Sequence, residues 1–316
     1  MSLRRCLTII VCAAIEGGIV SQAKKHTDFQ TIIFIIILCV VCGFLLAIVA
    51  YSLRNPQAEA REFDRSKQML IAAKVLDHEG FFTLLDKEGK TQRARFESDK
   101  LVADAKALKA TDDQIKEISK LRIRPMLTDA KGESFTLKDK DLDIAEYLEK
   151  NKKAGYANLP LKLYYIVAPN GEEKGVYAYV IPISGFGLWA PIYGYIALEP
   201  NADTVISTTW YEMGETPGLG ANITEAWWQN QFFGKAIFHQ GAGGKTDFKT
   251  ADIGIVVVKG KVVDVYGTSP KAESAVDGIS GATLTGDGVT AAYQDSLTPY
   301  RAFLMKAHEN AGKAEE

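Results

Sequence analysis

The chain of 316 residues has only four cysteines, and Cys6, Cys12, Cys39 and Cys42 all fall within its first 42 residues. Everything beyond them is therefore without a disulfide or a thiolate metal site. Cys39 and Cys42 stand in Cys-x-x-Cys spacing but inside an apolar run, where packing is the ordinary role of the pair. Histidine is equally scarce: His26, His78, His239 and His308 are scattered, with no partner at metal-ligand spacing, which leaves no zinc or haem site to assign. A formal net charge of -2 removes the basic surface that a nucleic-acid partner or another polyanion would need. No internal repeat or low-complexity tract is present.

Charge of either sign is missing altogether from Thr31 to Tyr51, TIIFIIILCVVCGFLLAIVAY. About twenty residues at the helical rise span roughly 30 Å, the thickness of a bilayer core. A buried core helix of that length would show a polar face, so the stretch reads as one transmembrane helix over residues 31–51, preceded by an N-terminal segment, 1–30. Arg4, Arg5, Lys24 and Lys25 precede it and Arg54, Arg61, Arg65 and Lys67 follow it, so the positive-inside count is tied and charge alone leaves the orientation open. Cys6 to Ile15 is a shorter apolar run behind Arg4 and Arg5 that resembles a signal-peptide core. No small-x-small cleavage site follows it, which favours an amphipathic cytoplasmic extension or an over-long start.

Beyond the span, residues 52–158 are rich in charge and read as a helical, solvated region. Pro56 to Leu76 continues as a helix with Ala60, Phe63, Leu70 and Ala73 on one side. Thr111 is placed to cap a helix that turns Ile115, Ile118 and Leu121 inward, and another helix is expected around Leu142 to Leu148. After Pro160 the character changes, giving a domain over 159–316. Leu161–Ala168 and Gly175–Ile183 read as a hairpin about Pro169-Asn170-Gly171. Tyr193–Leu198, Val205–Met213, Ile253–Val258 and Val262–Tyr266 read as further strands, the last two joined tightly at Lys259-Gly260. Hairpins followed by a late helix, without regular strand-helix alternation, predict an α+β fold with mainly antiparallel sheet.

The most informative stretch is Asp277 to Thr285, Asp-Gly-Ile-Ser-Gly-Ala-Thr-Leu-Thr. The small residues Gly281 and Ala282 leave the hydroxyl of Thr283 clear of the backbone. Val289, Ala292, Tyr293 and Leu297 then fall at amphipathic helical spacing, and a helix N-terminus favours an anion. In the plainer reading these are loop residues, with Thr285 or Asp287 capping the helix. Two further segments suit a flat aromatic ligand, which needs apolar walls and a few fixed donors. Gly185-Phe186-Gly187-Leu188-Trp189 offers a large ring beside free backbone, and Glu215-Thr216-Pro217-Gly218-Leu219-Gly220 offers glycines that admit close backbone approach. Trp189 also reads as a core aromatic, and Asn222 with Glu225 has capping-box spacing for a helix from Ile223. Gly185 to Ala190 fits Gly-x-Gly-x-x-Ala, but Pro191 and Gly194 oppose the helix that a dinucleotide fingerprint requires.

Ser280-Gly281-Ala282-Thr283 resembles the flavinylation motif Asp-x-x-Ser/Thr-Gly-Ala-Thr. With the anchor, the Leu188-Trp189 segment and the Glu215–Gly220 loop in one order, residues 28–310 resemble the C subunit of the sodium-translocating NADH:quinone oxidoreductase. That resemblance implies FMN joined through a phosphoester to Thr283 by a separate flavin transferase. It implies ring contacts from Leu188, Trp189, Glu215, Thr216, Gly218, Leu219 and Gly220, with Ser280, Gly281 and Ala282 completing the attachment site. It also implies an electron-carrying protein without an NADH site of its own, in a bacterial inner membrane with the N-terminus cytoplasmic and the large domain periplasmic. Its partners would be the other membrane subunits, with electrons arriving from an iron–sulfur centre and leaving to another covalent flavin. A single span without charge builds no ion path, so sodium crosses elsewhere in the complex. The G subunit of the related Rnf complex, and an anchored scaffold without a redox group, remain the alternatives.

Overall fold

A computed structural model describes residues 28–86, 90–152, 155–172, 175–241 and 243–315. Cys6, Cys12 and the apolar run from Cys6 to Ile15 lie outside the described residues. The chain divides into two compact units at Glu59 and Ala60.

Helix α1, Asp28–Ala72, contains the whole charge-free run. Residues 31–51 are exposed throughout, including Phe34 at 64% and Leu46 at 70%. Apolar side chains with no protein around them are what a bilayer solvates. Cys39 and Cys42 are free thiols on this exposed surface. In the second unit the last turn of α1 changes character, and Met69, Leu70, Ile71 and Ala72 are buried. Ala73, just past the helix, is buried too, Phe63 is half-buried and Ala60 is exposed.

The charged region that follows is not simply helical. It opens with a small antiparallel sheet of β1, Phe82–Leu85, β2, Thr91–Glu97, and β3, Lys100–Ala103. Helix α2, Asp112–Arg122, begins as expected: the Gln114 amide donates to Thr111 Oγ1 at 3.3 Å, and the Thr111 amide donates to Gln114 Oε1 at 3.0 Å. This reciprocal box satisfies two donors that a helix start leaves over. Ile115 and Ile118 point inward, but Leu121 is exposed at 42%, off the buried stripe completed by Ser119 and Arg122. Strands β4, Ile123–Thr128, and β5, Ser134–Thr136, come next, followed by helix α3, Ile144–Asn151, capped by Asp143.

Strands β4 and β5 join a sheet whose other members lie beyond Pro160: β6, Lys162–Val167, β7, Ala178–Phe186, β8, Pro191–Leu198, and β9, Val205–Glu212. The six run antiparallel in the order β5-β4-β6-β7-β8-β9. Successive side chains point to opposite faces, and both faces are buried. Tyr164, Ile181, Ile183, Ile196 and Val205 belong to one core. Tyr165, Val180, Tyr195, Ala197 and Ile206 belong to the other, with Leu70, Phe82, Ile115 and Ile118. The charged region therefore supplies two strands and the cover for one face.

Four short elements follow: helix α4, Ala226–Gln229, strand β10, Val256–Val257, helix α5, Val262–Tyr266, and strand β11, Ala275–Val276. Two expectations fail here. Val262–Tyr266 is a helical turn rather than a strand, and β10 pairs in parallel with β11 instead of forming a hairpin at Lys259-Gly260. Val263 and Val265 are 66% and 50% exposed, so the β-branched run that suggested a buried strand has no partner to pair with. The chain ends in helix α6, Thr283–Leu297, and helix α7, Arg301–Glu315. Val289, Ala292, Tyr293 and Leu297 of α6 are all buried in the first core. The whole is an α+β fold with a mainly antiparallel sheet.

Candidate functional site

Thr283 is the first residue of α6 and is exposed, as is Ser280. The turn before it is closed by the Ala282 amide donating to the Ile279 carbonyl at 3.0 Å, with Gly281 at φ +75. A four-residue turn with positive φ at its third position requires glycine or asparagine there. The helix start carries no side-chain cap: Ala282 stands at the N-cap, and the first intrahelical bond runs from the Gly286 amide to the Ala282 carbonyl at 3.0 Å. The amides of Thr283, Leu284 and Thr285 precede that bond, and such amides suit an anion.

Neither Thr285 nor Asp287 is the cap. Thr285 is 2% exposed, and its hydroxyl donates to Glu215 Oε2 at 2.6 Å. Glu215, itself 6% exposed, accepts from the Trp189 amide through Oε1 at 3.1 Å. Burial alone would raise the Glu215 pKa, but the Thr285 hydroxyl and the amides of Trp189, Leu188 and Ala190 outweigh it and hold the carboxyl below its ordinary range. Gly187 and Gly220 admit this carboxylate, since a Cβ on either would collide with it. One buried acid thus ties three sequence-distant segments together.

Gly187 to Ala190 is the tip of the β7–β8 hairpin, where Phe186 pairs with Pro191 and the Gly187 amide bonds the Ala190 carbonyl at 2.9 Å. A strand follows the glycines, as expected. Trp189 is not a core aromatic, because it is 67% exposed. Phe186, Leu188, Leu219 and Leu284 are exposed at 58%, 42%, 42% and 61%. Leu219 lies against Gly281. Thr216 and Gly218 are exposed on the same loop, while Gly220 is buried. The helix expected from Ile223 is a 3-10 turn, Gly220–Thr224, followed by the short α4. Asn222 makes no capping box; its side-chain amide donates to the Gly218 carbonyl at 3.2 Å.

Asp277 has a structural role that the residue pattern alone does not reveal. Its carboxylate accepts from the Val262 amide at 2.7 Å, its amide donates to Gln231 Oε1 at 3.0 Å, and its carbonyl accepts from Trp228 Nε1 at 3.0 Å. Thr285 was equally hidden, since only the fold brings it to Glu215.

An exposed hydroxyl at an uncapped helix start, beside exposed apolar side chains held by one buried acid, fits a phosphate on one side and a flat ring on the other. Together with the apolar span, these features describe a membrane-anchored protein with a candidate site for a phosphorylated, flat ligand. Residues 187–298 match the FMN-binding domain family. The chain is 44% identical over 302 residues to the Na(+)-translocating NADH-quinone reductase C subunit of Chlamydia caviae, covering 90% of this chain and 94% of that one. It is 29% identical over 294 residues to the C subunit of Haemophilus ducreyi, covering 92% and 99%. A crystal structure of the C subunit from Parabacteroides distasonis aligns at TM-score 0.44 and 26% identity, over 62% of this chain and 85% of that one. The chain belongs to the family of Na(+)-translocating NADH-quinone reductase C subunits. The Rnf alternative gives way to this likeness, which runs through nearly the full length.

Proposed function

We propose that the chain carries FMN covalently on Thr283 and relays electrons within the sodium-translocating NADH:quinone reductase of a bacterial inner membrane. The observation that carries this reading is the Glu215 link, which gathers the Leu188-Trp189 tip and the Glu215–Gly220 loop at the helix that begins with Thr283. Attachment needs a flavin nucleotide whose phosphate is activated as an anhydride. The Thr283 Oγ–P bond forms as the anhydride P–O bond breaks, the other half of the anhydride leaves as a nucleoside monophosphate, and the hydroxyl proton passes to a base on the flavin transferase. No oxidation change accompanies the step. The Thr283–Thr285 amides face the phosphate, and Leu188, Trp189 and Leu219 shield the ring while its edge stays open to partner subunits. Bound there, FMN supplies the group that accepts and gives up electrons. The large domain lies on the periplasmic side, receiving electrons from an iron–sulfur centre in neighbouring subunits and passing them to another covalent flavin.

The test is Thr283→Val in the full chain, co-produced with the transferase. In-gel flavin fluorescence and the FMN mass increment, present in the parent, are expected to vanish. Fluorescence that survives denaturing electrophoresis in the Val variant would move the attachment elsewhere and overturn the assignment.

A further inference from the structure

The cleft beside Thr283 has a second wall, made by Val258, Lys259 and Gly260. This turn is clamped to the attachment loop. The Gly278 amide donates to the Gly260 carbonyl at 2.8 Å, and the Val258 amide donates to the Val276 carbonyl at 3.0 Å. A Cβ on Gly278 would run into the Val258 carbonyl, so no larger residue lets the two segments close in this way. Lys259 is therefore held at the cleft by its backbone rather than placed there by a chance side-chain rotamer.

Among the described residues lining the cleft, Lys259 is the one cation and Asp287 the one acid. Asp287 lies four residues after Thr283, one turn along the same face of α6. Both Lys259 and Asp287 are exposed, and neither side chain has a hydrogen bond or ion pair among the described residues. A phosphodiester on Thr283 would place a second negative charge on the wall that already holds Asp287. The helix terminus supplies partial positive charge from its amides, and a lysine on the facing wall is placed to supply the rest.

We propose that Lys259 is the phosphate-binding cation of the flavin linkage, holding the phosphodiester on Thr283 against the repulsion of Asp287. This rests on the assignment of Thr283 as the attachment residue. Lys259 fixes the linkage at its phosphate end, whereas Trp189 and the Glu215–Gly220 loop act on the ring.

The experiment uses the full-length apo protein in detergent, with purified flavin transferase and its flavin nucleotide donor, and follows covalent incorporation by gel fluorescence and intact mass. Lys259→Met is expected to slow incorporation roughly fivefold at low salt, the order of an exposed charge pair, with the gap closing as salt rises. Lys259→Arg should restore most of the rate, and Asp287→Asn should raise it. In the loaded proteins, the phosphorus NMR resonance of the linkage should move in Lys259→Met and stay near its parent position in Lys259→Arg. Slower incorporation with an unmoved resonance would assign Lys259 to contact with the transferase and overturn the phosphate role. So would a parent-like rate at every salt concentration. Should Lys259→Met lower the melting temperature, the Arg and Asp287→Asn variants decide the matter. A parent protein with no adduct on Thr283 would instead overturn the assignment on which this inference stands.

Discussion

Replacing Glu215 with Ala removes the acceptor that joins the hairpin tip to helix α6. The Thr285 hydroxyl at 2.6 Å and the Trp189 amide at 3.1 Å would both lose their partner, in a place where Glu215 is 6% and Thr285 2% exposed. A hydrogen bond to a charged group contributes about 1.5–3 kcal/mol, and a buried donor left without a partner costs its desolvation as well. Two such bonds on one carboxylate do not add in full, and water entering the space left by the side chain recovers part of the loss. The expected destabilisation is therefore about 3 kcal/mol, a fall of roughly 6–12 °C in melting temperature for a unit of this size. Thermal melting of the full chain in mild detergent, read by tryptophan fluorescence, measures it, with Thr285→Val as the variant that removes only one bond. The pH dependence has a definite sign. Because the folded pKa is depressed, the carboxylate's contribution is fully present above the ordinary carboxylate range and is lost as pH falls through the folded pKa. The parent and Glu215→Ala should therefore converge in stability as the solution becomes strongly acidic. A destabilisation below about 0.5 kcal/mol near neutral pH, the range of ordinary surface substitutions, would refute Glu215 as the tie between the segments.

Trp189→Leu should change stability by no more than about 0.5 kcal/mol, since the side chain is 67% exposed. It should leave flavin attached but shift its midpoint potential in a spectroelectrochemical titration. Gly218→Ala should cost about 1–2 kcal/mol by chemical denaturation, because Gly218 sits at φ +76 while the space for a Cβ is open. Tyr293→Phe removes the hydroxyl that lies 2.7 Å from Thr208 Oγ1 and should cost about 1 kcal/mol in the same assay. If the large domain is periplasmic, protease added to intact spheroplasts should digest it; cleavage confined to inverted vesicles would reverse that orientation.

What the sequence disclosed followed the range over which each signal acts. The charge-free run, the Thr111 cap and the buried face of α6 depend on residues a turn or two apart, and each emerged where it was expected. Strands β6 to β9 carried enough β-branched and aromatic residues to be recognised. Strands β4 and β5 did not, because Ile-Arg-Pro-Met-Leu-Thr pairs with β6 tens of residues away, Ser-Phe-Thr is only three residues long, and neither shows a clear alternation of its own. Val262–Tyr266 misled for the opposite reason: its composition favours a strand, but the parallel pairing of β10 with β11 leaves it no neighbour. At the candidate site, Thr283 and the glycine loops drew attention by motif. Thr285 did not, since a threonine near a helix start normally caps it, and the acid it serves lies seventy residues earlier.

The order β5-β4-β6-β7-β8-β9 bears on how the proposed attachment site can be moved between proteins. The segment matching the FMN-binding domain, residues 187–298, begins where β7 ends, so it holds only the last two strands of a six-stranded sheet. Excised, it would leave the β7 side of β8 as an unpaired edge and uncover a face of Tyr195, Ala197 and Ile206 that belongs to the second core, an invitation to aggregate. The proposed attachment motif, Ser280 to Thr283, is only four residues long. The surface proposed to receive the ring is not portable in the same way, because Trp189 sits on a hairpin whose first strand pairs with β6 and, through it, with β4 of the charged region.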